Sequence, residues 1–309
     1  MKNVFALAGV RYAVMTNIPF DAEEAQHWHS SRAHDAPELL RSALRIDPLF
    51  AWDSACAVLQ AAGYSCDVSG AQQYLEHWAA VMRPEYLMAS FNFALKFPDE
   101  EKGSAGWVLQ HCVMPVARKL NLPFAIKCGT RRGANARLRQ AGDGVGVFDV
   151  GVLNRLCTMF PDVKFLATVL SMDNQHELAV AARKFPNLHL YGCWWFCNNP
   201  SLILTLTAMR VEMLGSSFTS QHSDSRVLEH LVYKWSHSAW PRHVTSAPLH
   251  PTTAPSQCFA GRKVIAGVLA DQFLKIAQAG WPLSRAEINR SVHQLLGGSY
   301  EEFMSKKLS

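Results

Sequence analysis

The sequence predicts a parallel α/β barrel, and three observations carry that prediction. Short apolar runs recur along the chain, each followed by a polar turn and a helical pattern. Their spacing is about 33 residues, the size of a βαβ repeat. Polar residues gather just past the C-terminal end of nearly every run, where a barrel collects its functional groups into one ring. An open doubly wound sheet, the other architecture with this alternation, would focus them at a single switch point instead.

Seven runs read as strands: Arg11–Thr16, Arg41–Ile46, Tyr86–Phe91, Phe124–Gly129, Lys164–Leu170, Leu188–Cys193 and Val211–Phe218. They are near-continuous apolar stretches, as strands buried on both faces must be. Between them, Ala71–Val81, Ala105–Leu120, Gln175–Phe185 and Val227–Trp235 place apolar residues near helical spacing. Ser238–Gly261 breaks the pattern. It is rich in Pro, Ser, Thr and His and has neither period, so residues 238–261 read as an exposed loop or insertion. The expected organisation is a barrel over 1–237, that loop, and C-terminal helices over 262–309 packing on the barrel, with Arg262–Ala279 and Arg285–Leu296 as the helical stretches.

Composition bounds the function. The 309 residues are 49% hydrophobic and 18% charged, enough for a large core. A formal net charge of +5 is mild, and the densest cations, Arg131, Arg132, Arg137 and Arg139, are interrupted by small residues. A nucleic-acid partner would want a contiguous basic stripe, so none is expected. Scattered positive charge suits a small anionic substrate. No stretch reaches the roughly 18 apolar residues of a membrane helix, and no leader pattern stands at the start. Eight cysteines lack framework spacing, with Cys193 and Cys197 the only close pair, and buried free thiols in a reducing compartment are expected. The chain therefore reads as cytoplasmic. The sequon Asn289-Arg290-Ser291 is then idle.

Four segments carry candidate chemistry. Gln221–Arg226 (QHSDSR) follows the last predicted strand; Ser223 or Asp224 could cap the next helix, or Asp224 could be a metal ligand or general base with His222 and Arg226 beside it. Gly192–Pro200 (GCWWFCNNP) offers Trp194 and Trp195 either to core packing or to the walls of a sugar site. Lys127, Arg131 and Arg132 put three cations beyond one strand, as a solvated loop or as a carboxylate clamp. Arg45, flanked by strand residues, needs a partner if it is buried. Gly142–Gly146 lacks a full dinucleotide loop.

Together these segments resemble the uronate isomerase (glucuronate isomerase) family of the amidohydrolase superfamily. The resemblance rests on MTNIPFD (Met15–Asp21), R-x-D (Arg45 to Asp47), IKCGTRRG (Ile126–Gly133), AGDGVG (Ala141–Gly146) and NQHEL (Asn174–Leu178). GCWWFCNNP and QHSDSRVLEHLVYKWSHS (Gln221–Ser238) are its most specific parts, and all run in family order. It implies a (β/α)8 barrel of amidohydrolase type that interconverts D-glucuronate with D-fructuronate and D-galacturonate with D-tagaturonate. It further implies Zn2+ at the barrel mouth, with Asp224 as a ligand. Asp224, Arg226 and Arg45 become the expected catalytic residues. Arg132, Lys127, Trp194, Trp195 and His222 become the expected contacts to a small sugar acid.

The family's His-x-His pair on its first strand has no counterpart at the expected place. His27-Trp28-His29 has the spacing but lies in a helical stretch after MTNIPFD. The expectation is thus a barrel that begins after the family's first strand, a truncated chain without stoichiometric zinc or turnover. The competing readings are an inactive sugar-acid-binding or interaction protein and a metal-dependent hydrolase of the same superfamily. The hydrolase would want histidines at the middle strands, and Phe124–Gly129 and Lys164–Leu170 have none. A homo-oligomeric state stays open.

Overall fold

The computed structural model describes residues 1–29, 38–235 and 261–308. Most of the predicted loop, residues 238–260, therefore lies outside the described residues. Helix α1 (Lys2–Ala8) leads into β1 (Ala13–Asn17), α2 (Ala22–Trp28) and β2 (Leu40–Arg45). Helices α3 (Trp52–Ala61) and α4 (Val68–Met82) precede β3 (Leu87–Asn92). Next come α5 (Ala105–Val108), a π turn over Leu109–Val113, α6 (Met114–Leu120), β4 (Phe124–Arg131) and a two-residue β5 (Gly144–Val145). The π turn stands immediately before Pro115, whose missing N–H cannot continue the ordinary ladder. Then α7 (Gly151–Met159), β6 (Phe165–Val169), α8 (Gln175–Lys184), β7 (Leu188–Leu190) and α9 (Pro200–Leu214) alternate. Helices α10 (Glu229–Trp235), α11 (Gly261–Gln278), α12 (Arg285–His293) and α13 (Ser299–Ser305) complete the chain.

The sheet runs β1-β2-β3-β4-β6-β7, every neighbour parallel, with β5 turned back antiparallel on β4. It continues past β7 only through a parallel bridge from Tyr191 to Thr219. Among the described residues the hydrogen-bonded ladder does not close between Thr219 and β1. Helices do continue around that side: Phe5 and Ala8 of α1 bury against Leu231 of α10.

One strand reading is corrected. Val211–Phe218 is not a strand; α9 occupies Pro200–Leu214, with Asn199 capping it through the Leu202 N–H and Pro200 at its first turn. The helix is apolar nearly all round because it packs between α8 and α11, and so it shows no amphipathic period. The strand that follows shrinks to the bridge at Thr219. The cysteine reading is also corrected: Cys56 and Cys66, on either side of the α3–α4 turn, form a disulfide. Cys112, Cys128, Cys157, Cys193 and Cys197 are free and buried, as expected. The thiol argument for a reducing compartment thereby loses two of its members. No helix among the described residues is long and apolar enough to cross a membrane.

In-register parallel pairing sorts the strand residues into two faces. Leu44, Ala89, Ile126 and Ala167 point outward into the core beneath the helices. Ala43, Met88, Ala125 and Leu166 point inward and pack on Phe303 of α13. Helix α13 enters from the end where the strands begin. Its Met304 carbonyl accepts from Lys164, just before β6, and Arg11, just before β1, pairs with Glu301. That end of the lumen is filled, and the end where the strands finish is left to polar groups. His189 of β7 lies in the filled part, stacked on Phe303 at 4.9 Å and 2.9 Å from the Thr219 hydroxyl.

Burial pushes the His189 imidazole down from 6.5 to about 4. As pH falls from about 6.5 toward 4 the unfolded chain takes up a proton that the folded one refuses. Stability is therefore full above 6.5 and falls by about 3 kcal/mol over that window. Urea unfolding across pH 4–7 should show the loss, and His189→Gln should flatten it. Truncating the ring beneath, Phe303→Ala, should cost about 3–5 kcal/mol by emptying the lumen; a loss under 1 kcal/mol would show that α13 is not the plug.

Candidate functional site

The open end of the lumen holds a row set by strand register. Ser90 pairs with Lys127 and Lys127 with Thr168, so all three point inward one layer above Met88, Ala125 and Leu166. Arg45, paired with Met88, reaches the same end from β2. The Arg45 guanidinium grips Asp47 through Nε and Nη2, both at 2.9 Å. This is the partner that a strand arginine required. The grip leaves the Nη1 donors for another acceptor. Asp47 also accepts from the Ser90 backbone N–H at 3.3 Å, which ties β2 to β3 beside the site. Hydrogen bonding to Asp47 pushes the Arg45 pKa up, burial opposes it, and the Asp224 charge adds to the rise.

Lys127 spans the mouth. Its ammonium lies 3.3 Å from Asp224 Oδ1 and 5.4 Å from the centre of the Trp194 ring, within cation–π range. Its side chain is only 12% exposed. Burial pulls its pKa below the ordinary lysine value, the Asp224 carboxylate resists that pull, and Arg45 adds to it. Asp224 sits at φ 43, a left-handed conformation that Asp tolerates better than most residues. Helix α10 begins at Glu229, five residues beyond Asp224, so Asp224 is not its cap.

The segment before Asp224 is fixed by a close backbone approach. Gly192 has φ 62, and a Cβ placed there would lie 2.1 Å from His222 Cδ2. The His222 ring also packs 5.3 Å from Tyr191. Gln221, buried, donates to the Asn198 side chain at 3.0 Å. The Gly192–Pro200 stretch hangs on Arg210, 1% exposed, which donates to the Gly192 carbonyl at 2.7 Å and to Gln175 at 2.8 Å. Gln175 in turn donates to the carbonyls of Val169 and Ser171 at the end of β6.

The structure thus brings together Arg45, Lys127, Trp194 and Asp224, with His222 behind them. Trp195 lies one step outward, at φ 41, stacked on Phe196 at 4.5 Å and 6.1 Å from Trp194. Arg132 is exposed and pairs with Asp143, which also accepts from the Gly133 N–H. That pairing pins the hairpin between β4 and β5, and Gly142–Gly146 is part of the hairpin rather than a strand-to-helix turn. Arg226 is exposed and makes no side-chain hydrogen bond or ion pair among the described residues. Sequence reasoning missed Arg210, hidden in an apolar helix. It also missed Tyr191, whose burial pushes its pKa well up beside Asp224.

No protein-family model matches the chain, and no curated protein does. Solved structures do. A uronate isomerase from Bacillus halodurans C-125 superposes with a TM-score of 0.85 at 37% identity, over 99% of this chain and 68% of that one. The chain belongs to the uronate isomerase family. The uronate isomerase of Thermotoga maritima (TM-score 0.70, 14% identity, 97% of this chain and 68% of that one) has the same fold. So has the glucuronate isomerase of Caulobacter crescentus (0.70, 15%, 98% and 66%). A uronate isomerase is an enzyme, and the α/β architecture with its mostly parallel sheet agrees with these structures. The chain spans about two thirds of the length of these relatives.

Gly192→Ala meets both a left-handed backbone and the His222 ring. It should destabilise the fold by about 2 kcal/mol or more and shift the tryptophan fluorescence of the neighbouring Trp194 and Trp195. Unchanged urea midpoints and spectra would show that this approach is not needed.

Proposed function

We propose that the chain is an aldose–ketose isomerase of hexuronates, interconverting D-glucuronate with D-fructuronate and D-galacturonate with D-tagaturonate. The observation that carries the reading is a carboxylate, Asp224, held at the barrel mouth against Lys127, with Arg45 close enough to act on its charge.

Isomerisation removes the proton on C2 and returns one to C1. In the aldose-to-ketose direction Asp224 takes the C2 proton. The C–H electron pair forms the C1–C2 double bond, and the carbonyl pair moves onto O1. Lys127 stabilises the charge there and supplies a proton to O1. The enediol then gives the proton on O2 to the neutral amine that Lys127 has become, its electrons re-form a carbonyl at C2, and C1 takes the proton back from Asp224, which restores both side chains. The free Nη1 donors of Arg45 suit a substrate carboxylate or hydroxyl, and Arg226 is the second arginine that could close on the carboxylate. Trp194 gives the sugar an apolar wall, and Trp195 and Arg132 flank the approach.

The family resemblance adds Zn2+ with Asp224 among its ligands. The residues described do not fit the ion by themselves. No group of three His, Cys, Asp or Glu side chains converges among them, and Asp224 faces cations. No step above runs through the metal. The same misfit favours a second reading, a protein that binds uronates without turning them over.

One experiment separates these. Purified protein, with and without added zinc, is given D-glucuronate and followed by 13C NMR for ketose and by calorimetry for binding. Isomerisation that drops about 10²- to 10⁴-fold in Asp224→Asn supports the proposal. Binding without ketose supports the second reading, and full turnover in Asp224→Asn overturns the assignment of the base.

A further inference from the structure

The His-Trp-His motif of α2 is not absorbed by the barrel site, and its second histidine has a partner elsewhere. His29, at the C-terminal end of α2, faces His77 on α4, ring centre to ring centre 5.7 Å and tilted by 41°. Both side chains are exposed. Trp78 closes one side of the pair, 5.0 Å from His29 and 5.3 Å from His77. Tyr64 stands 6.4 Å from His77. Metal–nitrogen bonds of about 2.0–2.1 Å hold an imidazole centre about 3 Å from the ion, so two rings sharing one ion stand about 5–6 Å apart. The observed separation is in that range before any ion arrives.

We propose that His29 and His77 form a binding site for a late first-row divalent cation, Cu2+ or Zn2+, that clips α2 to α4. Among the described residues no third His, Cys, Asp or Glu joins the two rings, and a pair of imidazole nitrogens favours copper over zinc. The clip has a mechanical consequence. Helix α2 has no fully buried residue of its own. It is fastened near its start, where Phe20 packs 5.0 Å from Tyr74 and the Tyr74 hydroxyl donates to the Pro19 carbonyl at 3.0 Å. An ion at His29 fastens its other end to α4 and so braces the helix that follows β1, which ends the strand order among the described residues.

The test is titration of the metal-stripped protein with CuCl2 and, separately, ZnCl2, followed by calorimetry, with electron paramagnetic resonance on the copper form. The expected result is one ion per chain at micromolar concentration, with nitrogen couplings from two imidazoles. His29→Gln and His77→Gln should each weaken binding about 10-fold or more. His176→Gln, at an exposed histidine on α8, should leave it unchanged. Zinc should also slow amide exchange in α2. Binding that is the same in the wild type and in both the His29 and His77 variants overturns the proposal, as does the absence of any micromolar site.

Discussion

The site depends on the parallel register between β3, β4 and β6. Because Ser90, Lys127 and Thr168 are level with one another, a single inward layer carries the polar groups. The layer below is Met88, Ala125 and Leu166. A slip of one residue would turn Lys127 toward the helices and bring Ile126 or Cys128 into the lumen. The register is reinforced where it matters: Asp47 takes the Ser90 N–H, and the Thr130 hydroxyl donates to the Phe91 carbonyl across β3 and β4. From the far end, α13 supplies Phe303 to the apolar layer.

That arrangement makes the Lys127–Asp224 pair a poor source of stability. A lysine nearly closed off from water gives up hydration that a single carboxylate at 3.3 Å, itself one third exposed, does not fully return. The downward pull of burial on the Lys127 pKa, larger than the upward pull of Asp224, states the same imbalance. Asp224 carries a further cost in its left-handed backbone. Two unfavourable features in contact, at the mouth of a barrel otherwise packed by ordinary rules, mark a place where the fold has been bent to hold charge ready.

Much of this was legible from residues. The strands β2, β3 and β4 can be read from the apolar runs RSALRI, YLMASF and FAIKCG, and α4, α8 and the α5–α6 stretch announce themselves by helical spacing. Arg45 was identified as an arginine in need of a partner, and Asp47 two residues on is that partner. What escaped did so for physical reasons. Helix α9 is buried on two sides, so its apolar residues have no period to detect. The Cys56–Cys66 disulfide depends on the α3–α4 turn, which ordinary apolar patterning does not reveal. Arg210 lies inside that same unreadable helix, and its acceptors, Gly192 and Gln175, are far away in sequence.

Arg210 also shows how the mouth is held. A guanidinium buried to 1% exposure with neutral acceptors has paid desolvation with hydrogen bonds alone, so those bonds must stay made. One leads to the Gly192 carbonyl and so to the tryptophan stretch. The other leads through Gln175 to the end of β6, next to Thr168. The aromatic wall and the polar row are therefore fixed to each other through the helix behind them as well as by the Lys127 contacts across the mouth. The position of Trp194 then rests on the buried Arg210 as well as on its contact with Lys127, so a ligand that displaces the Lys127 ammonium need not loosen the wall.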